Sequence, residues 1–97
     1  MMDYLLNYLS EEDYKVVKFN ISNLDKYNFS NYEDNICEVL DYLKFIGVTN
    51  FKDLLLYRCD VCYKDVDRLK EMISNYDLNL IVDIFNQDVS ALINFDI

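Results

Sequence analysis

The chain has 97 residues, with 18 acidic and 9 basic side chains, no histidine, no proline and one glycine. That length supports one modest core. The scarcity of Pro and Gly excludes a turn-rich all-β domain, and 9 tyrosines with 6 phenylalanines exclude disorder. The net charge of −9 opposes a grip on phosphate backbones or anionic membranes. It suits either a basic protein surface or plain solubility.

The first element reads as about two helical turns over Asp3–Leu9, from the spacing of Tyr4, Leu5, Tyr8 and Leu9. Ser10 is placed to cap a helix over residues 11–20, whose first turn holds Glu11, Glu12 and Asp13. Residues 21–30 lack periodicity and are rich in Asn and Ser, so a loop pinned by Ile21, Leu24, Tyr27 and Phe29 is expected there.

Ser30-Asn31-Tyr32-Glu33 has the form of a capping box and predicts a helix over 31–46, ended by Gly47. Its inner stripe is Ile36, Val39, Leu40, Leu43 and Ile46. Asn50 then caps a helix over 51–58, and a short turn, with room for one 3₁₀ turn, follows at 59–63. Asp65 or Lys64 precedes a helix over 66–76, Asp77 caps one over 78–86, and Val89, Leu92 and Ile93 form a last apolar turn.

One segment repeats itself without gaps at an offset of 30 residues. Ile36, Val39, Leu43, Val48, Phe51, Leu54, Leu55, Cys59 and Cys62 are matched by Val66, Leu69, Ile73, Leu78, Ile81, Ile84, Phe85, Val89 and Leu92. All are apolar against apolar, the mark of a helical repeat in which each unit buries its greasy face on its neighbour. The expected fold is therefore all-α: a small helical-repeat domain of five or six short helices, about two and a half units. Residues 1–97 form a single domain in this reading, with a half repeat acting as a cap over 1–30, a repeat over 31–62, and a repeat with tail over 63–97.

The run Leu43-x-x-x-Gly47-Val48, then Phe51-x-x-Leu54-Leu55-x-x-Arg58-Cys59-Asp60-Val61, then Leu69-x-x-x-Ile73, resembles the repeat of mitochondrial transcription termination factor-like proteins. The resemblance covers about residues 14–93. It implies units of two helices and a 3₁₀ turn; in that family such units stack into a curved solenoid that binds nucleic acid on a basic concave face. Here Cys59 and Val89 stand where the family carries proline, and the basic face is missing. The fold analogy carries over; the nucleic-acid function is kept as the alternative.

Motif chemistry is sparse. Cys59-x-x-Cys62 lacks the further ligands of a zinc site and the βαβ setting of a redox pair, so buried small hydrophobes are expected. A calcium loop from Asp60 would put Cys62 and Lys64 where oxygen ligands belong. Without histidine no nucleophile–histidine pair exists. The chain is accordingly expected to be no enzyme and to need no cofactor or metal.

The candidate partner-binding residues are Asp34, Glu38 and Asp41, which line one helical stripe at i, i+4 and i+7, with Tyr42 beside them. A solvated face would look the same. Tyr4, Tyr8, Tyr27, Tyr32, Tyr42, Tyr57 and Tyr63 exceed what the inner stripes hold, and exposed tyrosines recur at binding hot spots. The expected function is docking on a basic protein partner through this acidic, tyrosine-bearing face, as an interaction module, small regulator or nucleic-acid mimic. Direct nucleic-acid binding would have to rest on Arg58, Lys64, Arg68 and Lys70, the densest basic group, and is not expected.

No stretch approaches the ~18 apolar residues of a membrane span. The start Met1-Met2-Asp3-Tyr4 lacks a basic n-region, and three cysteines fit a reducing compartment, so a cytoplasmic location is expected. Leu92, Ile93, Phe95 and Ile97 either offer a homodimer contact or fold back on the core.

Overall fold

Most of the helices start where a short polar side chain satisfies a free backbone N–H. The computed structural model describes residues 2–97. Among the described residues there are six α-helices: α1 (Glu11–Asn20), α2 (Asn23–Asn31), α3 (Glu33–Ile46), α4 (Phe51–Tyr57), α5 (Val66–Ser74) and α6 (Leu78–Gln87). Three 3₁₀ segments, Asp3–Asn7, Cys59–Tyr63 and Val89–Phe95, complete the fold, and no strand occurs among the described residues. The all-α class expected from the sequence is what the chain adopts.

Ser10, Asn50 and Asp77 cap their helices as expected, and of Lys64 and Asp65 it is Asp65 that caps α5; they accept from the backbone N–H groups of Asp13, Asp53, Leu80 and Arg68. Gly47 ends α3 with φ of 112°. Its N–H donates to the Lys44 carbonyl at 3.2 Å and that of Val48 to the Leu43 carbonyl at 2.9 Å. This 5→2 and 6→1 pair is a Schellman ending, and the positive φ is why glycine stands there.

Two expectations fail in the N-terminal third. The loop expected over 21–30 is helix α2. Ser22 and Asp25 form an S-x-x-D box, with the Asp25 N–H donating to Ser22 Oγ and Ser22 Oγ donating to Asp25 Oδ2, at 3.1 and 3.0 Å. Tertiary contacts then hold a weakly periodic helix. Phe29 is fully buried, the Tyr4 hydroxyl donates to the Phe29 carbonyl at 2.7 Å, and the Tyr63 hydroxyl donates to Asp25 at 2.7 Å. The capping box expected at Ser30–Glu33 is also absent. Ser30 lies inside α2, and α3 starts at Glu33 without a side-chain cap.

The two units have the same element order, helix–helix–3₁₀ turn, over α3, α4 and Cys59–Tyr63 and over α5, α6 and Val89–Phe95. The first unit is flanked on both sides. Helix α3 packs on α2 and α5, and α4 packs on α1 and the Val89–Phe95 turn. The Asn86 side chain clasps the first unit's inter-helix turn. Its Oδ1 accepts from the Thr49 and Asn50 N–H groups at 2.8 and 3.3 Å, and its Nδ2 donates to the Gly47 carbonyl at 3.2 Å.

Leu54 is fully buried, whereas its repeat partner Ile84 is only half-buried against the same core. Val48 is buried, but its partner Leu78 is 46% exposed. The second unit has no glycine at its inter-helix turn, so Asp77 opens α6 directly and Leu78 falls in the first turn of a longer helix. The tail folds back rather than standing free: Leu92 and Ile97 are buried and Phe95 packs edge-on to Tyr76, leaving Ile93 exposed.

Candidate functional site

Helix α3 buries Ile36, Val39, Leu40 and Leu43 completely, so its opposite side is fixed towards solvent by the core and needs no support of its own. That outer side carries Asp34, Glu38 and Asp41, all exposed. Phe45 extends the stripe by one further turn, at i+11 from Asp34, and is 87% exposed. A phenylalanine left open in this way forgoes about 1.5–3 kcal/mol of burial. The sequence reading did not single it out, although its spacing of four from Asp41 was the available signal.

The structure brings Glu38, Asp41 and Tyr42 together with Phe45, Val66 and Lys70 around a shallow groove of about 440 Å³ between α3 and α5. The four expected residues differ in how free they are. Asp41 accepts a 2.5 Å hydrogen bond from the Tyr8 hydroxyl, so it also ties the N-terminal segment to α3. Tyr42 is half-buried, with Lys70 Nζ 5.2 Å from its ring centre. Burial raises the Tyr42 hydroxyl pKa. Asp34 lies away from this groove and lines a second hollow with Asn31, Tyr32, Glu33 and Asn35. The stripe thus joins two concavities at opposite ends of one helix, about 10 Å apart by helical rise from Asp34 to Asp41.

The tyrosine excess has a structural use that the sequence reading missed. Tyr4, Tyr8, Tyr42 and Tyr63 pack on the core, and only Tyr27, Tyr32 and Tyr57 of those singled out are exposed. Tyr8, Tyr14 and Tyr63 each donate to a carboxylate distant in sequence, Asp41, Asp3 and Asp25. Burial first, and the neighbouring carboxylates Asp41 and Asp25 next, push the Tyr8 and Tyr63 hydroxyls well above the usual phenol range. Nothing in sequence spacing marks these pairs, because they are 33, 11 and 38 residues apart.

The cysteines sit in surroundings that favour thiols. Burial pushes Cys59 up to about 11, and it raises the fully buried Cys62 and also Cys37. Among the described residues no three His, Cys, Asp or Glu side chains are placed to hold a metal ion, and no helix is long and apolar enough to cross a membrane.

Within the basic group, Arg58 is occupied. Its Nε and Nη2 bind Asp60 at 3.0 and 3.1 Å, and Nη2 also donates to the Ile97 carbonyl. With 17% of the side chain exposed, this guanidinium fastens the 89–97 segment rather than facing solvent. Compared with protein-family models, with curated proteins and with solved structures, the chain matches none.

Proposed function

We propose that the protein is a non-catalytic binding module that docks on a basic protein partner through the outer face of α3. The observation that supports this most is Phe45. An aromatic ring open to solvent continues a line of three carboxylates on a helix that buries four side chains completely. Carboxylates steer a basic partner and fix its orientation, and the ring supplies apolar area that is released from water only on contact. The rigid mount matters as well. Four fully buried side chains hold α3, so little conformational freedom is lost when the face binds.

In this reading Glu38 and Phe45 are the contact residues. Asp34 adds charge at the far end, and Asp41 divides its role between the surface and Tyr8. Lys70 marks one edge of the groove, and basic groups of the partner are expected on the α3 side of it. A nucleic-acid mimic or inhibitor is the same geometry with a nucleic-acid-binding protein as partner.

The test is capture of the partner from the native host, with the wild-type chain and with the Glu38→Gln/Phe45→Ser variant. Capture by wild type should fall steeply between about 50 and 200 mM salt, and the variant should retain nothing at either salt. A partner held equally by wild type and variant would overturn the reading. The alternative, a nucleic-acid binder of the termination-factor kind, predicts retardation of mixed RNA and DNA at low salt through Lys64, Arg68 and Lys70.

A further inference from the structure

A third concavity lies between α2, α3 and the Cys59–Tyr63 turn. It has a volume of about 360 Å³ and is lined by Asn28, Tyr32, Asn35 and Tyr63. Two of its four polar side chains, Asn35 and Tyr63, are left as acceptors, while Asn28 and Tyr32 keep both donors and acceptors. Asn35 spends its Nδ2 on two backbone carbonyls, those of Cys62 at 3.2 Å and Lys64 at 3.0 Å. Two acceptors on that side fix the amide orientation, so what Asn35 has left to offer is its carbonyl oxygen. Tyr63 spends its proton on Asp25 at 2.7 Å, leaving a phenolic oxygen that presents lone pairs only.

The walls are aromatic. Tyr63 is held against Phe29 with ring centres 5.9 Å apart, and Tyr32 is 55% exposed. Asp25 stands behind Tyr63, and the adjoining hollow, which shares Tyr32 and Asn35, adds Glu33 and Asp34. The groove therefore has π-faces, acceptors whose partner donors are already used, and negative charge on two sides.

We propose that this groove receives an arginine side chain of the basic protein partner. A guanidinium is planar, stacks on aromatic faces and carries five donors with no acceptor, which complements a lining that has acceptors to spare. A carboxylate or phosphate would meet lone pairs and like charge. A second copy of this chain is disfavoured by the net charge of −9 on each molecule. The inference rests on the partner being basic, but it concerns a separate place from the α3–α5 groove. One bound arginine here and contacts at Phe45 would set the partner's direction along α3.

The experiment is an NMR titration of the whole chain with a blocked Gly-Arg-Gly peptide, with its citrulline and lysine analogues as controls. The arginine peptide should shift the Asn28 and Asn35 side-chain amides and the Tyr32 and Tyr63 rings saturably, and the neutral citrulline peptide should not. Tyr32→Ala should weaken binding about three- to fivefold, the scale of one exposed cation–π contact. Asn28→Leu serves as a second variant should Tyr32→Ala fail to fold. Glu38→Gln/Phe45→Ser should leave the peptide shifts unchanged, which separates this groove from the α3–α5 face. Shifts that never saturate, equal binding of the citrulline or lysine peptide, or indifference to a folded groove variant would overturn the proposal.

Discussion

Helices α3 and α5 hold equivalent places in the repeat, and two of their inward positions correspond, although Leu40 of α3 is matched by the exposed Lys70. Val39 and Leu43 of α3 and Leu69 and Ile73 of α5 are all buried. Their outward stripes do not correspond. Displaced by the repeat offset of 30, Asp34, Glu38, Asp41 and Phe45 become Lys64, Arg68, Glu71 and Asn75. The repeat pattern constrains these shared inner positions and leaves the outside unconstrained. An acidic line ending in an open aromatic ring is therefore a property of α3 and not of the repeat, which is why the binding face is assigned there.

Burial itself separates the units in a second way. The first unit has neighbours on both sides and the second has one, so equal positions carry unequal weight. The largest expected effect follows from this. Leu54→Ala should cost about 3–5 kcal/mol, because it empties a closed site, whereas Ile84→Ala at a half-buried site should cost about half as much. Urea unfolding of the two variants measures the difference directly. Equal costs would mean that the units are energetically alike.

The hydroxyls of Tyr4, Tyr8 and Tyr63 belong to the N-terminal segment and the first unit, and burial raises all three. Each is held as the neutral phenol in the folded state. Their contribution is therefore complete below the ordinary phenol pKa and is lost as pH rises above about 10. Circular dichroism in alkali should show helix loss in step with tyrosinate absorbance from these residues. Tyrosinate formation from all three in a chain that keeps its helices would contradict their half-buried, hydrogen-bonded placement.

Smaller effects should come from the seam between the units and from the caps. Asn86→Ala removes the clasp on Gly47, Thr49 and Asn50 and should cost about 0.5–1.5 kcal/mol, since the freed backbone groups are exposed or half-buried and can turn to water. Asp65→Ala and Asp77→Ala each remove a helix cap and should cost about 1 kcal/mol. Capping is local, so neither cap should depend on how many neighbours its unit has. Thermal unfolding of all three variants gives these costs on one scale.

What could be read from the sequence follows the same division between local and long-range causes. The helices of the two units were legible because caps and apolar spacing act within a few residues. Asn50 and Asp77 open their helices as predicted, Asp65 is one of the two residues expected before α5, and Gly47 closes α3. Helix α2 was not legible. Its support comes from Tyr4 and Tyr63, 25 and 38 residues away from their acceptors, and the Ser and Asn side chains that mark it serve turns as readily as helix caps. Of the site, the stripe of Asp34, Glu38 and Asp41 was legible from helical spacing. That Asp41 is shared with Tyr8, that Tyr42 lies under Lys70, and that Phe45 stands open all depend on packing.

The smallest expected effect on stability accompanies the largest on function. Phe45 and Glu38 bear little of the fold, so Glu38→Gln/Phe45→Ser should unfold within about 0.5 kcal/mol of wild type. Affinity of the captured basic partner, measured by calorimetry for that variant and for Arg68→Gln/Asn75→Ser at the equivalent positions beside α5, is the most direct test. The account predicts a loss of at least about tenfold for the α3 variant, or 1.4 kcal/mol, and wild-type affinity for the α5 variant. Equal affinity of the two variants for the partner would contradict it.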